Sequence, residues 1–257
     1  MLKLKIFVYL CNGNTNILRL ILTKKEKIMK KLMMIAAMMV AAVSANAQFE
    51  PGTWSIQPKI GGTLSRVSNM PDFKFGKIGN TNLDVDKSIY TGALIGAEFE
   101  YQVAQPFSVA AGLNFSMQGC KWGDFEIKKD GDYAKAKDLK MELNYLNIPI
   151  VANFYLFKGF AIKTGVQFGF LLSAKQKATN EYKVGDRHEE TKESIDFKDE
   201  CKKFDVAIPI GISYQVPTIP IYIDGRYNLG LTKINKDGDT NYKNQVFQVT
   251  VGYKFAL

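Results

Sequence analysis

Bulky apolar side chains recur at every second position along eight separate stretches of this chain, and a period of two specifies strand rather than helix. In "FSVAAGLNFSMQG", Phe107, Val109, Ala111, Leu113, Phe115 and Met117 fall on one face. Ser108, Ala110, Gly112, Asn114, Ser116 and Gln118 fall on the other. "GFAIKTGVQFGFLL" and "FDVAIPIGISYQV" repeat the pattern. The alternation predicts strands over about 53–67, 88–102, 107–122, 140–157, 159–176, 202–216, 221–234 and 244–257. The last runs to the final residue, in "NQVFQVTVGYKFAL". Beyond Gln48 no long stretch has helical periodicity.

The connections are of two kinds. "VAQP", "KG" and "PTIP" are short, whereas "SNMPDFKFGKIGNTNLDVD", "GDFEIKKDGDYAKAKD", "KATNEYKVGDRHEETKESIDFKDE" and "NKDGDTNYK" are long and polar. In an up-and-down meander all the long ones fall at one end. Transmembrane barrels of the outer-membrane type have this asymmetry, with short periplasmic turns and long outside loops. An even strand count puts both termini on the periplasmic side.

The non-apolar face decides what surrounds the barrel. A soluble lipid-binding barrel carries its greasy face inside and a Lys-, Glu- and Thr-rich face outside. Here the second face is crowded with Gly, Ala, Ser and Asn, which suits the cramped interior of an eight-stranded barrel. The charges sharing it are Lys59, Glu98, Lys163, Asp205, Asp224, Arg226 and Lys254. Isolated buried charges cost several kcal/mol each, so pairing is expected. The expected pairs are Lys59 with Glu98, Lys163 with Asp205, and Asp224 or Arg226 with Lys254. The fold class is therefore all-β, an eight-stranded antiparallel up-and-down transmembrane β-barrel preceded by a cleavable signal peptide. In hydrocarbon no strand edge can stay unpaired, so the last strand must meet the first.

Charge supports export rather than nucleic-acid binding. The formal net charge is +9, but residues 1–47 hold eight of the 34 basic residues and one acid, Glu26. The remainder carries 26 basic against 24 acidic residues, an ordinary surface. "MKKLMMIAAMMVAAVSANAQ" has a cationic start at Met29–Lys31, an apolar core Leu32–Val43 and a small-x-small site at Ala45–Ala47. The core is shorter than the about 20 residues a spanning helix needs. The expected division is 1–28, a mis-assigned upstream start or an unstructured stretch; 29–47, the signal peptide; and 48–257, the barrel. Lipidation at Cys11 is disfavoured by Tyr9 and Leu10 before it.

The mature chain resembles the PorT-like outer-membrane β-barrel family of Bacteroidetes. The resemblance rests on "YLNIPIVANFYLF", "GVQFGFLLSAK", "DGRYNLGLTKI" and "VFQVTVGYKF". The family typically has an acidic residue where this chain has Asn147, so a lumenal charge is missing there. It implies an outer-membrane barrel, and a few members are linked to secretion or gliding machinery. The ending "TVGYKFAL" also resembles the terminal insertion signal of such barrels, with Thr250, Gly252, Phe255 and Leu257 at its positions.

Residues that could carry chemistry are few. His188 and Ser194, in "VGDRHEETKESID", could form a nucleophile–base pair only in fixed geometry, and the run reads as a mobile charged loop. Asp237, Asp239 and Asn241 open a calcium-loop pattern but lack its later glycine and bidentate Glu. Tyr90, Tyr145, Tyr155, Tyr227, Tyr253, Trp54 and Trp122 are expected in an aromatic girdle. Cys120 and Cys201 share the lumenal parity near the outer rim and are expected as free thiols, since their strands are not neighbours. No cofactor, metal or enzymatic activity is expected. The expected partners are outer-membrane lipid or lipopolysaccharide, the barrel-assembly machinery and a protein at the long loops. The expected role is structural or interaction, with a side-chain-filled lumen and long extracellular loops. The alternatives are a narrow porin-like channel or a component of outer-membrane secretion machinery, ahead of a lipid-modifying enzyme or a soluble lipid-binding barrel.

Overall fold

The computed structural model describes residues 50–72, 77–78, 81–82, 85–129, 132–185, 187–217 and 219–257. Residues 1–47, which hold the expected signal peptide, lie outside them. The described residues fall within one compact unit, Asn46–Leu257. In chain order the strands begin with β1 (Trp54–Ser68), the short β2 (Lys77–Ile78), β3 (Thr81–Asn82) and β4 (Lys87–Ser88), then β5 (Tyr90–Ala104) and β6 (Phe107–Trp122). Next come β7 (Phe125–Lys129), β8 (Asp132–Phe157), β9 (Phe160–Val184) and β10 (Arg187–Asp196). The chain ends with β11 (Phe204–Gln215), β12 (Ile221–Gly230), β13 (Lys243–Tyr253) and β14 (Phe255–Ala256).

The pairing closes on itself. From β9 the ladder runs through β11, β12, β13, β1, β5, β6 and β8, and β8 pairs with β9 again, every pair antiparallel. β13 zips onto β1 from Lys59↔Gly252 to Ser68↔Lys243, and β14 continues at Ser55↔Ala256. The final strand is thus a closing strand, and its unpaired edge disappears into the ring.

Side chains follow the alternation. Ile60, Ile95, Leu113, Ile150, Ile210 and Val251 all point outward, between 41% and 64% exposed. Lys59, Glu98, Asn114, Asn153, Asp224 and Thr250 point inward and are buried. Polar groups inside and greasy groups outside invert the arrangement of a soluble domain.

Small residues make room for large ones inside. Glu98 lies directly opposite Gly112, Arg226 opposite Gly211, and Tyr222 opposite Gly252. A Cβ at Gly112 would sit 2.4 Å from Glu98 Cγ, and one at Gly211 2.8 Å from Arg226 Cγ.

Two expectations about connections are corrected. The stretches following 122 and 176 are largely strands, because β8 and β9 run on well past the ring. β7 pairs with β8 from Phe125↔Ala136, and β10 with β9 from Arg187↔Val184 to Asp196↔Lys175. The four make a polar sheet beyond one end of the ring. His188 and Ser194 therefore sit on an ordered strand rather than a loop. The extension has no apolar period because water can reach both faces, and opposed Lys and Glu side chains stabilise it instead. The bulge at Asn144/Tyr145 leaves Leu172 as an extra residue on β9, so that Leu171 and Ala174 both turn inside, and a second bulge lies between Lys137 and Lys140 on β8.

Candidate functional site

Four cations and three carboxylates interlock in the lumen. Arg226, fully buried, sends Nη1 and Nη2 to the two Glu98 carboxylate oxygens at 2.8 Å each. Its Nη2 also donates to Asp224 Oδ2 at 3.1 Å. Nε lies 2.9 Å from Asp224 Oδ1 as an ion contact, off the axis of a hydrogen bond. Lys59 donates to Glu98 from the other side. Lys163 Nζ reaches Asp224 Oδ2 at 2.6 Å and lies 5.6 Å from the Tyr222 ring centre.

A second group hangs on Glu100. Lys254 Nζ is 3.0 Å from Glu100 Oε2 and donates to Tyr155 Oη at 3.0 Å. Tyr155, Gln57 and Ser108 all donate to the same carboxylate. Each cation thus has a carboxylate partner, as buried charges require.

Of the expected pairs, Lys59 with Glu98 is present. Lys163 meets Asp224 instead of Asp205, because the β9–β11 register puts Lys163 opposite Gly211 and Asp205 opposite Gly169. Six residues of strand separate the two sites, about 20 Å. Asp205 instead accepts from Thr232 Oγ1 at 2.5 Å and Asn244 Nδ2 at 3.1 Å. Lys254 meets Glu100 rather than Asp224 or Arg226. Glu100 is a lumenal charge outside the expected set, although "AEFEYQV" places Glu98 and Glu100 on one face by the same period of two.

Toward the extension the interior becomes apolar. Val67, Cys120, Trp122, Leu143, Leu171 and Ile234 form one buried cluster with Cys201. Both cysteines are unbridged and buried. The aromatic girdle is also smaller than expected. Trp54 and Tyr253 face outward, but Tyr90, Tyr145, Tyr155 and Trp122 are buried, 1–6% exposed. Tyr145 and Tyr155 share the parity of lumenal Asn147, which donates to Ser116 Oγ at 2.7 Å.

The terminal residues divide by parity. Thr250 is buried in the lumen and Gly252 lies opposite Lys59, whereas Phe255 and Leu257 are 46% and 73% exposed. Leu257 N donates to Trp54 O at 2.9 Å, which fixes the end of the chain to the first strand.

In the extension, Tyr133 Oη donates to Glu181 Oε1 at 2.6 Å, His188 Nε2 lies 2.9 Å from the same oxygen, and Lys137 pairs with the carboxylate. The Lys137 ammonium, with Tyr133 and His188, holds the Glu181 carboxyl near about 2, below its usual 4.5. Its stabilising effect is complete above the unfolded value and lost as pH falls from about 4.5 toward 2. Hydrogen exchange in β9 and β10, corrected for intrinsic rate, should be constant from neutral pH to about 5 and accelerate below it. In Glu181→Gln that acceleration should disappear.

His188 and Ser194 lie six residues apart on one strand, about 20 Å, and do not meet. The "DGDTN" stretch is a turn held by Asn235, whose Nδ2 donates to Asp237 O at 2.6 Å and Thr240 O at 3.0 Å.

Among solved structures, the chain is similar to Ail, the attachment invasion locus protein of Yersinia pestis, at 16% identity, covering 80% of this chain and 99% of that one, TM-score 0.35. Neisserial surface protein A is similar at 11% identity, covering 79% and 97%, TM-score 0.37. The N-terminal barrel domain of Pseudomonas aeruginosa OprF is similar at 13% identity, covering 80% and 100%, TM-score 0.31. No curated protein matches the chain. Residues 46–236 match the family described as outer membrane protein beta-barrel domain, about three-quarters of the chain. The chain belongs to that family, and it is an outer-membrane β-barrel protein.

Proposed function

We propose that the chain is a structural or interaction protein of the outer membrane, exported by residues 29–47, with eight strands crossing the bilayer. The outward apolar belt lies against lipid, and the β7–β10 sheet stands outside the cell as the contact surface for a protein partner. The barrel carries out no enzymatic reaction and binds no cofactor. Thr250, Gly252, Phe255 and Leu257 serve as the insertion signal read by the assembly machinery. The stretches that resemble PorT-like barrels of Bacteroidetes support placement among them.

One observation carries the preference over a channel: the lumen is obstructed twice, by the Glu98–Arg226 network and by the apolar cluster around Leu143. Eight strands leave an interior that side chains fill, whereas water-filled pores appear at about sixteen. Purified protein in planar bilayers should give no steady conductance. Reproducible single-channel steps would replace this reading with the porin-like alternative.

A further inference from the structure

Where the ring gives way to the extension, three lysines stand side by side. Lys121 of β6 lies directly opposite Lys140 of β8, and Lys140 directly opposite Lys177 of β9. Ser88 of β4 continues the row beyond Lys121, and Ser194 of β10 continues it beyond Lys177. Directly opposed residues share a face, so five strands present hydroxyl, ammonium, ammonium, ammonium, hydroxyl in one line. At about 4.8 Å between strands, the three ammonium groups span about 10 Å.

Like charges directly opposite one another destabilise a sheet. Two carboxylates offset part of that repulsion. Asp138 lies 3.3 Å from Lys121, and Glu142 is shared between Lys140 at 3.2 Å and Lys177 at 2.6 Å. Three cations against two anions leave an excess, and the lysines are 30–40% exposed. Beside them opens a cavity of roughly 600 Å³, lined by Ser88, Tyr90, Lys121, Asp138 and Lys140 among others.

The row also sits at a particular depth. Among the described residues, Leu172 is the last strongly exposed aliphatic side chain on β9, 45% exposed; Lys177 follows five residues later and the polar-tipped Tyr182 lies beyond it. On a strand tilted by about 40° that is about 13 Å further from the bilayer centre. Beyond the hydrocarbon begins the polar headgroup layer.

We propose that this row is a binding site for the phosphate groups of an outer-leaflet phosphorylated glycolipid, with Lys121, Lys140 and Lys177 as the cationic ligands and Ser88 and Ser194 as flanking donors. The assignment rests on the barrel lying in the outer membrane with its extension outside. Acyl chains of the same lipid run down the apolar belt beneath the row, which a free anion cannot do.

The test titrates lipid A into the detergent-solubilised full chain and counts bound lipid by native mass spectrometry. Each lysine near an anionic lipid surface contributes about fivefold, so K121Q/K140Q/K177Q should weaken binding about a hundredfold. The control K135Q/K183Q/K192Q removes the same charge from the same sheet and should bind as the parent does. Dephosphorylated lipid A should bind like the triple variant, and inorganic phosphate should not displace lipid A at equal concentration. An equal loss in the control, undiminished binding of dephosphorylated lipid, or displacement by inorganic phosphate would each overturn the site. If the triple variant does not fold, each single Lys→Gln change should still cost about fivefold, and no change in all three overturns the site. Failure of the membrane reading looks different: the parent chain would stay monodisperse without detergent.

Discussion

Replacing Glu98 with alanine should destabilise the barrel by about 3–5 kcal/mol, the cost of leaving buried charges without their partner. Glu98 is fully buried and holds both Nη atoms of Arg226 as well as Lys59. Its loss strands Lys59 and leaves Arg226 only Asp224, which Lys163 already shares, where water does not reach. Urea unfolding in phosphatidylcholine vesicles, followed by the mobility difference between folded and unfolded protein, measures the effect. Asp205→Asn is the contrast. Asp205 is bonded to Thr232 and Asn244, and the amide keeps part of that bonding, so the cost should fall nearer the about 1 kcal/mol of an ordinary hydrogen bond. Because Lys59 and Arg226 share one carboxylate, Glu98→Ala and Lys59→Ala should be non-additive when combined. Equal, small effects of Glu98→Ala and Asp205→Asn would mean that the network does not hold the lumen together.

Ile210→Arg should cost about 2–4 kcal/mol in the same vesicles, the price of a lipid-facing charge near the bilayer midplane. Ile210 is 52% exposed on the middle of β11, among the outward apolar side chains of its neighbours. Ile195→Arg is the matched control. Ile195 is 61% exposed on β10 in the extension, where water should surround it, and the change should cost no more than about 0.5 kcal/mol. Two residues with similar exposure therefore separate by what touches them. If both substitutions were equally mild, the belt around the ring would face water.

The basic architecture could be read from the residues because side-chain parity is a local property. Val249 and Val251 point one way and Gln248 and Thr250 the other whatever strand lies beside them, so the outward and inward sets were available before any pairing was known. Parity fails where the chain inserts a residue. The bulges beside Leu172 and Asp138 shift the pattern by one, and no composition signal marks them. The extension was illegible for a different reason: its strands bury no apolar face, so "RHEETKESID" reads as a solvated loop although it forms a full ladder with β9.

By itself, the sequence determined that the chain makes strands, which face of each is greasy, and that the charges of the other face must find partners. Only the tertiary structure decided which partners. Lys163 to Asp224, Lys254 to Glu100 and the alignment of Lys121, Lys140 and Lys177 all depend on register around a closed ring. Register is a relation between distant segments. One step of slip exchanges every inward side chain for its outward neighbour, and two steps change every partner while leaving the pattern intact.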